Sequence, residues 1–125
     1  MREERGNLAV DIEIKEPYTL WGSIAGVVTV SAGSKFYMRG AIYGDMIVET
    51  GGRVHVFGNI SRNITVKEGA KVIVSGVVGG DVVNLGGRLY VEGTAHVIGI
   101  VKTKSGETKI EPGAKVTRVT ESSQP

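Results

Sequence analysis

The sequence repeats itself most clearly around Gly40-Ala41-Ile42-Tyr43-Gly44-Asp45-Met46-Ile47-Val48, in which hydrophobic residues alternate with other residues after an initial glycine. The initial glycine recurs at a constant spacing at Gly22, Gly40, Gly58 and Gly76, and then one position early at Gly93. A second glycine series, Gly33, Gly51 and Gly69, keeps the same spacing, and Gly86-Gly87 continues it if one residue is lost between Asp81 and Gly87. A fixed period of this kind is typical of a protein built from stacked repeats.

Hydrophobic residues follow the same period. Within each repeat they occur in pairs two positions apart, which is the alternation of a strand with one buried face. Three short strands therefore fill one repeat. The beginning of the chain fits if Val10, Ile12, Tyr18 and Leu20 lie one period before Val28, Val30, Phe36 and Met38. The five columns are Ile24, Ile42, Ile60, Val78; Val28, Met46, Ile64, Val82; Val30, Val48, Val66; Phe36, Val54, Val72, Leu89; and Met38, Val56, Val74, Val91.

These patterns predict an all-β fold, namely a single-stranded, three-sided parallel β-helix (a β-solenoid) of about six coils of about 18 residues. One coil cannot bury its own hydrophobic face, so successive coils must stack. We expect the glycines at the corners, where a positive φ would cost another residue about 1 kcal/mol.

We expect the solenoid domain to span residues 8–119, between an N-terminal tail (1–7) and a C-terminal tail (120–125). Residues 110–116 resemble residues 66–72 but follow eight or nine positions late. The sequence therefore predicts a polar insertion at about 102–109, or else a distorted last coil that caps the solenoid.

The composition restricts the classes of function. The 125 residues include 15 basic and 13 acidic side chains, and a net charge of +2 gives no reason to expect a nucleic-acid partner. The absence of cysteine excludes disulfides and thiolate chemistry. Residues 1–7 are charged, unlike a signal peptide, and no apolar run reaches the roughly 18 residues of a transmembrane segment. We expect a cytoplasmic location, and nothing in the sequence supports peripheral membrane association.

The sequence offers few groups for catalysis. The two histidines, His55 and His96, have no predicted partner; His55 is expected to point outward, whereas the direction of His96 is open. Asp45 and Asp81 share one repeat position, and we expect each to hydrogen-bond its own turn rather than to bind a metal. We therefore predict no enzymatic activity, no catalytic or metal-binding residues and no cofactor.

Two features are candidates for protein interaction. Outward positions beside the Phe36 and Met38 columns hold an aromatic-rich set, which either forms an interface or strengthens the sheet by stacking between coils. The predicted insertion is a candidate interaction loop through Lys102, Lys104 and Lys109. The candidate interaction face consists of Trp21, Tyr37, Arg39, His55, Phe57, Ile73 and Tyr90.

The repeat resembles the Gly-x-Val-x-Gly-Asp-[Ile/Val] signature of bactofilins, a family of polymer-forming cytoskeletal proteins of bacteria. The matching segments are residues 40–48 and Gly76-Val77-Val78-Gly79-Gly80-Asp81-Val82-Val83. The resemblance implies a right-handed, triangular β-helix that assembles end to end into nonpolar filaments without nucleotide and acts as a scaffold. The additional glycines, the exposed aromatic residues, the insertion and the short tails depart from the family.

The leading expectation is a non-enzymatic scaffold whose partner is itself, assembled by stacking of solenoid ends. The alternative is a monomeric or dimeric module of the inhibitor or immunity type, which binds another protein through the aromatic face. A third reading follows from hydrophobic residues that recur every six positions, as in hexapeptide-repeat acyltransferases. This hypothesis lacks support, because the sequence shows no catalytic histidine in an extended loop.

Overall fold

A computed structural model of the chain describes residues 2–121. These residues form a β-solenoid without a helix, as the sequence predicts. Its seventeen strands are β1 (Arg2–Glu4), β2 (Asn7–Leu8), β3 (Ile12–Ile14), β4 (Tyr18–Leu20), β5 (Ser23–Ile24), β6 (Val28–Val30), β7 (Lys35–Met38), β8 (Ala41–Ile42), β9 (Met46–Val48), β10 (Arg53–Val56), β11 (Asn59–Ile60), β12 (Ile64–Val66), β13 (Lys71–Val74), β14 (Val77–Val78), β15 (Val82–Val91), β16 (His96–Ile110) and β17 (Lys115–Glu121).

The strands stack in parallel on three faces, and each coil contributes one strand segment to each face. The first face contains β1, β4, β7, β10, β13, the second half of β15 and the end of β16. The second face contains β2, β5, β8, β11, β14 and the first residues of β16 and β17. The third face contains β3, β6, β9, β12 and the remaining segments of β15, β16 and β17.

The predicted hydrophobic columns form the core. All five are confirmed by the strand register, and all their members are buried. Each inward side chain packs on its equivalents in the coils before and after it. The hydrophobic residues that pack against this core but are only partly buried are Leu8, Ile12, Ile110, Ala114 and Val116.

The solenoid has seven coils rather than about six, because the predicted N-terminal tail is part of it. Arg2–Glu4 pairs with β4, and the Arg2 N–H donates to the Pro17 carbonyl at 3.0 Å. The first coil is shorter than those that follow, so Ile12 rather than Val10 pairs with Val28, and Val10 is 56% exposed. At the other end β17 continues to Glu121, into the predicted C-terminal tail; residues 122–125 lie outside the described part of the chain.

The predicted insertion at 102–109 is wrong. These residues lie within β16 and pair with β15 of the preceding coil. The resemblance of residues 110–116 to 66–72 has a different cause, since both segments contain the same four-residue turn. In one, the Ala70 N–H donates to the Lys67 carbonyl at the corner between the third and first faces; in the other, the Ala114 N–H donates to the Glu111 carbonyl between the first and second faces. The turn has moved to another corner of the coil.

The two glycine series are required for different reasons. Gly51, at a turn, has a φ of 83°, as predicted for a corner. Gly58 has no positive φ, so that prediction is wrong for its series. A Cβ at Gly58 would instead overlap the carbonyl oxygen of Gly40 in the preceding coil. Glycine is needed there because two backbones approach closely.

The polar residues that follow these corners connect neighbouring coils. The Asp45 carboxylate accepts a hydrogen bond from the Asn63 N–H at 2.9 Å, and the Asn63 side-chain oxygen accepts one from the Asp81 N–H at 2.8 Å. Asp81 in turn accepts one from the Ile100 N–H. The prediction that these aspartates bond their own turns is wrong, because each of them satisfies a backbone donor one coil further on.

A buried asparagine shapes the shortened coil. Asn84 occupies the column of Val30, Val48 and Val66 and is fully buried. Its side-chain oxygen accepts from the N–H groups of Gly86 and Gly87 at 3.1 and 2.8 Å, and its Nδ2 donates to the carbonyl of Glu107 at 3.0 Å. One residue is indeed lost here, since Lys71 pairs with Arg88, one position earlier than the repeat predicts. The Asn84 amide supplies the partners that this tighter turn needs.

Candidate interaction surface

The first face brings all seven residues of the predicted aromatic face together. They lie in two adjacent outward rows that run along the solenoid axis. Tyr37, His55, Ile73 and Tyr90 form a half-buried row in strand register, and Thr19, at its N-terminal end, is buried. Trp21, Arg39 and Phe57, with Ser75 and Glu92, form the second row directly after the strands.

The N-terminal part of the second row, together with Arg5 of the first coil, forms a cation–π stack. The Arg39 guanidinium lies 4.2 Å from the ring centre of Phe57 and 5.2 Å from that of Trp21. Arg5 covers Trp21 at 5.1 Å, and the Trp21 indole N–H donates to the Glu3 carboxylate at 2.8 Å. Because coils are about 4.8 Å apart, side chains of consecutive coils can meet in this way. The structure therefore supports the reading that these residues strengthen the sheet, while Trp21 and Phe57 still leave apolar surface exposed.

His55 has partners that the sequence analysis did not find. Its ring stacks on Phe57 with 3.7 Å between ring centres, and its Nε2 lies 2.8 Å from the Ser75 hydroxyl, which donates to the Glu92 carboxylate. Burial lowers the pKa of His55, and the Glu92 carboxylate opposes this shift. The Ser75 hydroxyl proton points to the Glu92 carboxylate, so the Glu92 carboxylate and the His55 imidazole both contact the same hydroxyl group. This differs from a serine–histidine–acid triad, in which the acid orients the far ring nitrogen.

The three lysines of the predicted loop lie in different places. Lys102 pairs with Val83 on the third face, Lys104 lies at a register shift, and Lys109 follows Tyr90 in the half-buried row of the first face. They do not form a loop, because residues 102–109 belong to β16. Only Lys109 extends the aromatic face. His96, whose direction the sequence left open, points outward and is exposed.

The sequence analysis missed a row of basic side chains. Lys35, Arg53, Lys71 and Arg88 occupy one outward column of four consecutive coils. Among residues 2–121 none of the four forms an ion pair, although the Lys71 ammonium lies 5.8 Å from the Tyr90 ring centre. These four residues recur with the period of the repeat, which would have revealed them in the sequence. A search for contiguous basic tracts does not detect them. We call these four residues the basic row.

Like charges directly opposite one another destabilise a sheet, so the basic row weakens the fold where it lies. It is flanked by two shallow depressions. One lies over Tyr37, His55 and Ile73, and the other runs along the glycine corner at Gly51, Gly69 and Gly86. The first face therefore combines cations, aromatic rings and accessible backbone along one side of the solenoid.

The residues that the structure describes contain no group of three or more histidine, aspartate or glutamate side chains that could hold a metal ion. Over the same range, 2–121, no helix is long and apolar enough to cross a membrane.

The fold and its repeating coils define the chain as a three-sided β-solenoid protein. Comparisons with protein-family models, curated proteins and solved structures gave no match. The class is thus defined by the architecture.

Proposed function

We propose that this chain is a non-enzymatic structural protein that assembles with copies of itself through the ends of its solenoid. The observation that carries the proposal is the position of the incompletely buried core. Leu8 and Ile12 belong to the first coil, and Ile110, Ala114 and Val116 to the last. A second copy stacked on either end would complete their burial.

The strand edges support the same conclusion. At one end β1, β2 and β3 have a neighbouring coil on one side only, and at the other end the same is true of the end of β16 and of β17. Unpaired edges invite the addition of another strand, and natural proteins usually cover or charge them. The terminal coils, which span residues 2–16 and 104–121, contain no covering helix.

Three charged residues stand at inward positions of the terminal coils. Arg2 and Glu4 pair with the buried Tyr18 and Leu20, and Glu121 pairs with Thr103. Inward charges are a common protection of sheet edges. We therefore expect end-to-end association to be reversible and dependent on concentration.

The bactofilin-like repeat agrees with this proposal, which extends to a scaffold in the cytoplasm of a bacterium. Bactofilins are the family that the repeat resembles; the predicted insertion, one of the departures, is replaced by a paired strand, and the exposed aromatic residues and additional glycines concern the surface and the close approach of the coils. The columns stay in register along the solenoid, so a second copy could continue the same stack of parallel strands at either end.

Val119→Lys tests the proposal. Val119 ends the inward column that contains Val28 and Val101, and it is 49% exposed only because no coil follows it. A lysine there can keep its ammonium in water in the single chain but would be buried against a second copy, and circular dichroism checks that the variant is folded. We expect the wild-type chain to form oligomers or filaments at high concentration and low salt. We expect the variant to associate roughly 30-fold more weakly, which corresponds to about 2 kcal/mol of lost apolar burial. Light scattering and negative-stain microscopy measure both.

Ile98→Lys is the matched control. Ile98 is 52% exposed just after the second-face segment of the penultimate coil, where the last coil rather than a second copy is its neighbour, so its replacement should leave association unchanged. A strictly monomeric wild-type chain, or an equal effect of both variants, would contradict assembly through the ends.

A second candidate function is a module that binds an acidic protein surface through the first face. The basic row favours it, because four cations without an ion pair within residues 2–121, beside half-buried aromatic rings, match the composition of protein interfaces. The column continues to Glu107 beside Arg88, and the partner would supply carboxylates to the other three cations.

Poly-L-glutamate is a suitable probe for the second candidate. We expect the double variant Arg53→Glu/Lys71→Glu to bind it at least tenfold more weakly at low salt than Lys102→Glu/Lys115→Glu, which has the same net charge. Fluorescence anisotropy of labelled probe measures both affinities. Equal losses in the two variants would show a general charge effect and reject a binding row.

A further inference from the structure

The strand register assigns to each paired residue of the first coil an equivalent residue in the last coil. Each column begins in the first coil and ends in the last, so a second copy that continues the stack would place the last member of a column against the first. The half-buried row of the first face, followed through every coil, begins at Glu3 and ends at Lys109. Its two ends carry opposite charges.

The apolar columns behave in the same way. The column through Ile24 begins at Leu8 and ends at Val116, and the column through Val28 begins at Ile12 and ends at Val119. Both pairs would meet at the junction, and all four residues are incompletely buried in the single chain.

A second complementary pair lies at the corner before the third face. Asp11 directly precedes Ile12, and Arg118 directly precedes Val119. Arg118 pairs with Ile100, and Asp11 accepts a hydrogen bond from the Val27 N–H through one carboxylate oxygen. Within residues 2–121 neither Lys109 nor Arg118 forms an ion pair.

Net charge favours the same orientation. The first coil, residues 2–16, carries three basic and five acidic side chains, a net charge of −2. The last coil, residues 104–121, carries four basic and three acidic side chains, a net charge of +1. Two first coils placed face to face would repel each other, and so would two last coils.

We propose that a second copy of this chain stacks head to tail, with Lys109 and Arg118 of one copy facing Glu3 and Asp11 of the next. The inference rests on the proposed assembly through the ends and adds its polarity and register. It differs from the nonpolar filaments that the resemblance implies. The parallel ladder then continues across the junction, whereas a head-to-head junction would turn it antiparallel.

Three inward positions oppose this junction, because each would bring a charged side chain into the core. Glu121 would face Ile14 of the next copy, Ile110 would face Glu4, and Thr108 would face Arg2. These mismatches limit the affinity and leave the register unchanged, because a shift by one residue would bring the apolar pairs onto polar neighbours.

Disulfide cross-linking distinguishes the orientations, since the chain has no cysteine. Asn7 and Lys115 are exposed, lie at opposite ends of one outward column and are outside the proposed ion pairs. Across a head-to-tail junction their Cα atoms would be about 4.8 Å apart, a distance that a disulfide can span. Within one copy they lie six coil spacings apart, so they cannot form a disulfide with each other.

We expect Asn7→Cys mixed with Lys115→Cys to form a disulfide-linked heterodimer on a non-reducing gel. The doubly substituted chain should form a ladder, and each single variant alone should stay uncross-linked. Cross-linking of either single variant with itself, or association without any cross-link, would overturn the head-to-tail register. Absence of any association by light scattering would instead reject the proposed function.

Charge reversal supplies an independent readout. Lys109→Glu should weaken association by up to about fivefold, the range of one exposed ion pair, and Glu3→Lys in the same chain should restore it. Failure of the second substitution to restore association, with both variants still folded by circular dichroism, would contradict the pairing.

Discussion

Gly58→Ala is expected to destabilise the solenoid by about 3 kcal/mol, because the added methyl group would collide with backbone that cannot move alone. A Cβ at Gly58 would overlap the Gly40 carbonyl oxygen and would also crowd the Arg39 carbonyl group. That Gly40 carbonyl accepts the hydrogen bond of the Asn59 N–H, so separating the two coils would also break the ladder. Urea denaturation measures the loss.

Gly51→Ala is the matched control for the same substitution at a corner of the other kind. Gly51 has a φ of 83° but only an ordinary contact around the new methyl group, at 3.6 Å from the Gly33 nitrogen. We expect a loss of about 1 kcal/mol, the cost of a left-handed conformation for alanine. Equal losses at the two positions would show that close approach of the coils is not what requires glycine at position 58.

Asn84→Val is expected to destabilise the chain by about 3 kcal/mol, even though it restores the valine column of Val30, Val48 and Val66. The substitution would leave the N–H groups of the half-buried Gly86 and the buried Gly87 without a partner, and it would remove the donor to the Glu107 carbonyl. Each orphaned buried group costs about 1–3 kcal/mol. Thermal and urea unfolding measure the effect.

Val66→Asn is the reciprocal control. It places the same amide in the same column at a corner of normal length, where the turn is closed by the Ala70 N–H donating to the Lys67 carbonyl. We expect it also to destabilise, by about 1–3 kcal/mol, since the amide is buried without the shortened turn to bond. If Asn84→Val were neutral or stabilising, the asparagine would not be what holds the shortened coil.

Both positions show why local pattern alone misjudges parts of this chain. Gly58 and Gly51 look alike in the sequence, and a positive φ was the predicted reason for both. The two sites differ in backbone conformation and in what the preceding coil places beside them, and neither difference is visible in the sequence. Asn84 looks like a break in a hydrophobic column, and its role follows from a turn that is one residue shorter.

The same limit applies to the candidate surfaces. The outward direction of Trp21, Tyr37 and Phe57 follows from strand alternation and was predictable. The contacts of His55 with Ser75 and Glu92 were not, because these residues come from three different coils. The basic row was predictable in principle, because its members follow the repeat. It becomes visible only when the charges at equivalent positions of successive repeats are compared.

The sequence by itself determined the solenoid class, the parallel register of coils two to five and most of the core. These properties follow from alternation along a strand and from a constant period, and both are visible in one dimension. The tertiary structure decided where the coils begin and end, that residues 102–109 continue a strand, and that the turn of residues 67–70 reappears at another corner as residues 111–114. A four-residue turn has the same local chemistry at every corner of a three-sided coil. Only the neighbouring coil, through its hydrogen bonds and its packing, determines which corner it occupies.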